Sequence, residues 1–151
     1  MRLVNPLTLI ALASHPLAQQ QQIPFAALMQ ERFLLREQGS ATRMLFESWL
    51  QTHLASSVQM ASNEAIRVGV SSGMGLAVLS SHVLPAQDQT IVPLDVADFP
   101  IESHWYFIAR NDRHLSPAAL GYLRFAEQHL EACLGKQWAR NDLQRLLSAL
   151  A

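Results

Sequence analysis

Cysteine is nearly missing from this sequence: Cys133 is its only one, so no disulfide can form within the chain. That usage suits a reducing compartment, and the protein is expected in the cytoplasm. Cys133 falls in a helical apolar pattern and reads as a small buried hydrophobe, not as a reactive thiol. An excess of basic charge is missing too. The 11 Lys and Arg stand against 12 Asp and Glu, with a net charge of -1 and a pI of about 6.6. No basic stripe is available to neutralise a phosphate backbone, so this chain is not expected to hold DNA by itself. Long apolar runs are absent, none approaching the roughly 18 residues of a membrane-spanning helix, and no membrane partner is expected.

Catalytic patterns are also lacking. The six histidines (His15, His53, His82, His104, His114 and His129) show no HxH, HxxxH or HxxE pair, so no metal is expected. The serine pairs Ser71-Ser72 and Ser80-Ser81 lack a G-x-S-x-G elbow. The stretch SSGMG, from Ser71 to Gly75, is no phosphate loop, because no lysine follows and its glycines come after a helix. The expectation is a protein without catalytic residues or a resident cofactor.

What is present is apolar patterning. Half of the 151 residues are hydrophobic and 15% are charged, enough for one core. Residues 1–18 admit two readings, a cleaved signal peptide or a buried strand from Leu7 to Ala13. A single positive residue, Arg2, and an interrupting Pro6 favour the strand. Beyond the glutamine run Gln19–Gln22 come a helical turn over residues 24–30 and a strand from Phe33 to Arg36. A helix starting at Ala41 carries Leu45, Phe46, Trp49, Leu50 and Leu54 at helical spacing, with Ser40 as cap. Val58–Met60 reads as a strand, and Ser62 caps a second helix to about Ser71, closed by Gly73.

The nearly continuous apolar run after Gly75 fits a strand covered on both faces. Strands over Thr90–Val96 and Trp105–Ala109 follow. Ser116-Pro117 then opens a helix to about Leu134, with Leu120, Leu123, Ala126, Leu130, Cys133 and Leu134 as its buried stripe. Leu143, Leu146, Leu147 and Leu150 suggest a helical tail over residues 135–151. The order β-α-β-α-β-β-β-α predicts an α/β lobe with a mainly parallel sheet.

Two helix starts remain as candidate binding features: Gly39-Ser40-Ala41-Thr42 and Ser62-Asn63-Glu64. Each follows a strand, and ligands of open α/β sheets gather at the carboxyl ends of strands. A helix start there offers free N–H groups and a positive dipole end to an anion. Plain capping is the competing explanation for Ser40, whereas Thr42 is better placed to donate to a ligand than to cap. Arg43 can meet an effector phosphate or pair with Glu47 at i+4. Asn63 can hydrogen-bond an effector or serve only as a first-turn residue. Trp49 and Trp105 read as core aromatics.

The succession FLLREQGSATRMLFESWL, SNEAI, SGMGLAVLSSHV and VADFPIESHWYFIARNDRHLSPAA resembles the effector-binding domain of LysR-type transcriptional regulators. The combination of GSATR, SNEAI and Phe-Pro-Ile before His-Trp-Tyr is most similar to the regulators of carbon-fixation (RuBisCO) operons. This resemblance spans about Leu7 to Leu134. It implies a periplasmic-binding-protein-like (type 2) fold, with a second lobe over about residues 7–97 and a return strand and helix of the first lobe over 103–134. Most of the first lobe would be lacking, leaving the apolar faces of the Trp105 strand and the Ser116 helix exposed or repacked.

The resemblance also implies a small anionic effector held between lobes. Its binding residues would be Ser40, Ala41, Thr42, Ser62, Asn63, Phe99, Pro100 and Ile101, and the effector a phosphorylated sugar or acid, or NADPH. Ala41 departs from the glycine frequent at that place. The full-length protein would form a homo-oligomer and touch DNA only through an N-terminal winged helix absent from these 151 residues. Two alternatives stand beside this reading: an interaction fragment that pairs with an intact regulator, and a stand-alone solute-binding module.

Overall fold

The computed structural model describes residues 2–50, 52–84, 89–110, 114–134, 139–140 and 147–148. It divides into two compact units, one of Pro6–Glu102 and one of Met1–Asn5 with Ser103–Ala151. The chain passes between them twice, at residues 5–6 and 102–103.

The larger unit holds a five-stranded sheet. Its strands are β2 (Leu7–Leu12), β3 (Arg32–Arg36), β4 (Ser56–Met60), β5 (Leu76–Ser80) and β6 (Ile91–Pro93), in the order β4-β3-β5-β2-β6. Helix α1 (Ala41–Leu50) crosses from β3 to β4, and α2 (Asn63–Ser71) from β4 to β5. These two crossovers force β3 to run parallel to both β4 and β5. The sheet is nevertheless mixed, because β2 pairs antiparallel with β5 and β6. Since β2 opposes both β5 and β6, those two run the same way, and four of the five strands share one direction: the sheet is mainly parallel, as element order suggests, with β2 alone reversed.

Period-2 alternation explains how both faces are filled. Leu7, Leu9 and Ala11 of β2, Phe33 and Leu35 of β3, and Leu76 and Val78 of β5 belong to one cluster with Phe46 of α1. Ile10, Leu34, Ala77 and Leu79 belong to the other, with Ile66 and Val70 of α2. The two helices therefore cover opposite faces, and β5 is buried along its whole length. On the α1 side the core is aromatic: Phe25, Phe33, Phe46, Trp49 and Phe99 pack with ring centroids 4.8–6.3 Å apart. Phe25 comes from a 3-10 turn, Phe25–Leu28. Helix α2 ends where Gly73 takes φ +73, a left-handed value that a side chain disfavours.

In the smaller unit, β1 (Arg2–Val4) pairs antiparallel with β7 (His104–Tyr106) and β8 (Ala139–Arg140). Helix α3 (Pro117–Leu134) starts as predicted, with the Ser116 hydroxyl accepting from the Ala119 N–H at 3.2 Å. Its stripe is thinner than its periodicity suggests: Leu123 and Ala126 are buried, whereas Leu120 and Leu130 are half-buried. Cys133 is exposed, which corrects the expectation of a buried thiol. Trp105, expected in a core, is 48% exposed. In both cases the residue follows an apolar period, but among the described residues the period does not bring burial. Of the predicted helical tail, Leu147 and Ser148 are helical, while Leu143, Leu146 and Leu150 lie outside the described residues. Among the described residues no helix is long and apolar enough to cross a membrane.

Candidate functional site at the carboxyl ends of β3 and β4

Helices α1 and α2 begin directly after β3 and β4, so both helix starts lie at the carboxyl edge of the parallel strands. Gly39, at φ +89, turns the chain from β3 toward α1 through a left-handed conformation suited to glycine. The Ser40 carbonyl accepts from the Met44 N–H at 2.9 Å, placing Ser40 at the cap position. Its side chain does not cap. Among the described residues neither the Ser40 nor the Thr42 hydroxyl has a hydrogen-bond partner. The backbone N–H groups of Ala41, Thr42 and Arg43 precede any possible helical acceptor and are likewise unbonded. The start of α1 thus presents three amides and two hydroxyls, with Ala41 exposed between them.

The start of α2 is different. The Ser62 hydroxyl accepts from the Ala65 N–H at 3.0 Å, a completed side-chain cap. Asn63 is also engaged, because its Oδ1 accepts from Nη1 of Arg36. Arg36 closes a bidentate pair with Glu37, at 2.8 Å from Nε and 2.7 Å from Nη2. That pairing, aided by a backbone hydrogen bond, pulls the Glu37 carboxyl down to about 2 and raises the Arg36 guanidinium.

Arg43 donates from Nε to Glu47 at 2.7 Å, so the i+4 pair weighed in the sequence is formed. It also donates from Nη1 to the Arg36 carbonyl and to Oε1 of Gln59, both at 3.0 Å. These two contacts have no signature in sequence. They exist only because β3 and β4 are parallel and in register, Arg36 beside Met60 and Leu35 beside Gln59.

Ile101 lies along the same sheet edge as the helix starts, since its partner Leu7 stands opposite Ser80 at the carboxyl end of β5. Phe99 packs on Trp49 and Phe25, Ile101 exchanges backbone hydrogen bonds of 2.9 Å with Leu7, and Pro100 is exposed after a cis peptide bond. A cavity of about 710 Å³ opens on another flank of α1, where Arg43, Glu47, His53, Leu54 and Ser57 line it. None of the residues singled out as effector-binding lines that cavity.

A mixed α/β sheet with two helix starts at one edge defines a lobe of the type 2 periplasmic-binding-protein class. The LysR substrate binding domain matches residues 3–131, and the chain belongs to that family. It is 40% identical over 126 residues to the RuBisCO operon transcriptional regulator of Allochromatium vinosum, covering 80% of this chain and 42% of the relative. To the transcriptional activator CmpR of Synechocystis it is 37% identical over 135 residues, covering 86% and 44%. The chain thus spans less than half the length of these curated relatives. The regulatory domain of CcmR from Synechocystis, solved in complex with 2-PG, is similar with a TM-score of 0.76 and 34% identity, covering 91% of this chain and 66% of that one. The effector binding domain of QuiR, in complex with shikimate, shares the fold at a TM-score of 0.69 and 16% identity.

Proposed function

We propose that this chain is the effector-sensing part of a regulator of carbon-fixation genes, and that it takes a small phosphorylated acid at the start of α1. The observation that carries this reading is the row of Ala41, Thr42 and Arg43 amides beside the hydroxyls of Ser40 and Thr42, all without a hydrogen-bond partner among the described residues. A phosphate oxygen accepts from such donors, and the positive end of the helix dipole adds to the attraction. Ser62 and Asn63 serve at the second edge, where Asn63 also orients Arg36. Phe99–Ile101 contribute through packing in this reading. The CcmR domain with 2-PG supports the effector class, and 2-phosphoglycolate is the first compound to try.

The acid acts as a signal, not as a substrate, and no cofactor is required; NADPH is a further effector to test. The protein works in the cytoplasm as a homo-oligomer. DNA is held by regulator segments outside the matched region. Titration of the 15N-labelled chain with 2-phosphoglycolate should shift the amide signals of residues 40–43. Thr42→Ala should weaken the response about tenfold, the worth of one hydrogen bond to a charged group. Equal shifts all over the chain, unchanged in Thr42→Ala, would count against the site.

A second reading has its own observation. Trp105, Tyr106, Ile108, Tyr122 and Phe125 are exposed in the smaller unit, Ile108 at 92%. Such a face suits an interaction fragment that pairs with an intact regulator. Light scattering that finds a monodisperse monomer, alone and mixed with a full-length relative, would remove this reading.

A further inference from the structure

Arg43 stands where helix electrostatics disfavours it. A cation in the first turn opposes the macrodipole, yet the Arg43 side chain is only 16% exposed and is bonded through its Nε and Nη1 nitrogens. Its guanidinium reaches three elements: Glu47 one turn along α1, the backbone carbonyl of Arg36 at the last position of β3, and Gln59 in β4. Both strand contacts come from the same nitrogen, Nη1, while Nε points to Glu47, away from the helix start. A planar fork can make these contacts together; an ammonium, with its donors on one atom, cannot span from Glu47 to the strand ends.

We infer that Arg43 is a positioning residue: a clasp that holds the first turn of α1 against the carboxyl ends of β3 and β4 and so aims its amides at the phosphate. The inference rests on the anion site proposed above. The Arg43 side chain acts through the placement of the first turn, residues 40–43, and does not itself touch the ligand. Gln59 belongs to the clasp as the acceptor on β4. Loss of the clasp lets the first turn swing relative to the strands, and a phosphate that needs several aligned donors suffers more than a carboxylate that needs one or two.

The test compares 2-phosphoglycolate with glycolate, both titrated into the 15N-labelled 151-residue chain, with thermal melting recorded alongside. Arg43→Lys keeps the charge and removes the fork, Gln59→Leu removes the acceptor, and Gln59→Glu restores one. Arg43→Lys and Gln59→Leu are each expected to lower 2-phosphoglycolate affinity about fivefold to tenfold, the scale of one misaligned charged hydrogen bond. They should also narrow its preference over glycolate, which a general loss of stability would not do. Gln59→Glu should stay within about twofold of the wild type, since the hydrogen bond is kept.

Wild-type affinity and preference in Gln59→Leu or in Arg43→Lys would overturn the clasp. If the wild type itself shows no shift at residues 40–43, the anion site fails and the clasp with it. If the wild type binds and Thr42→Ala weakens it while Gln59→Leu changes nothing, only the clasp fails.

Discussion

The two units of this chain share a composition of strands and helices but differ in how far each completes a core. In Pro6–Glu102 both sheet faces are covered, one by α1 and the aromatic cluster, the other by α2. In the smaller unit the described residues bury only Leu123 and Ala126 together, with Phe107, Leu115 and Leu147 packed against them. Four of its aromatic residues are exposed: Trp105, Tyr106, Tyr122 and Phe125. The difference teaches that patterning is necessary for burial and not sufficient. An apolar stripe is buried only when a second layer exists to receive it.

The sharpest way to break that comparison is a pair of truncations. Phe33→Ala removes a fully buried ring and should cost about 3–5 kcal/mol. Phe125→Ala, at a residue 58% exposed, should stay within about 0.5 kcal/mol. Urea denaturation of the two variants decides it; equal losses would mean that the smaller unit is as fully packed as the larger.

Next in size is Gly75→Ala. A Cβ there would lie 2.3 Å from the Arg32 carbonyl oxygen, a backbone atom that cannot turn aside. Separating β3 from β5 locally should cost about 3 kcal/mol, the upper end for overpacking. A melting temperature equal to wild type would show that the strands separate freely.

The two helix starts make a smaller and more selective comparison. Ser62→Ala deletes a formed cap and should cost about 1 kcal/mol. Ser40→Ala deletes a hydroxyl that has no partner among the described residues and should leave stability unchanged, while weakening the response to 2-phosphoglycolate. Similar stability losses in both would mean that Ser40 caps after all and is not reserved for a ligand.

The smallest effect is that of pH. The Glu37 carboxyl, ordinarily at 4.5, lies at about 2 in the folded protein because Arg36 holds it. A depressed folded value means that the pair's contribution is fully present above pH 4.5 and is lost as pH falls through about 2. Melting curves of wild type and Glu37→Gln should therefore converge between those limits, and curves that stay parallel would contradict the pairing.

Much of the fold was legible because local signals agreed with each other. Ser62 and Ser116 cap their helices, Gly73 ends α2 and the run after Gly75 forms a strand buried on both faces. Thr90–Val96 contracts to Ile91–Pro93, although single backbone bonds to the neighbouring chain continue on both sides, from the Ala13 N–H to the Thr90 carbonyl and from the Leu94 N–H to the Leu9 carbonyl. Residues 2–4 form β1, a strand too short to show any period and made by pairing with β7 and β8. Ser40 looked like a third cap and is not one, since capping depends on a side-chain angle that no spacing encodes. The Arg36–Asn63 and Arg43–Gln59 contacts were invisible for a related reason. Each joins residues brought together by strand register across 27 and 16 positions.

By itself the sequence determined the membership of the chain in its family, its run of strands and helices, and the presence of two helix starts rich in small polar residues. Those are local properties, written in period, caps and turns, and they survive without knowledge of what packs on what. Tertiary structure alone decided the reversed direction of β2, the exposure of Cys133 and Trp105, and which serine hydroxyl stays unbonded among the described residues. Each of these depends on a neighbour distant in the chain, and a neighbour is supplied by packing, not by the residue that meets it.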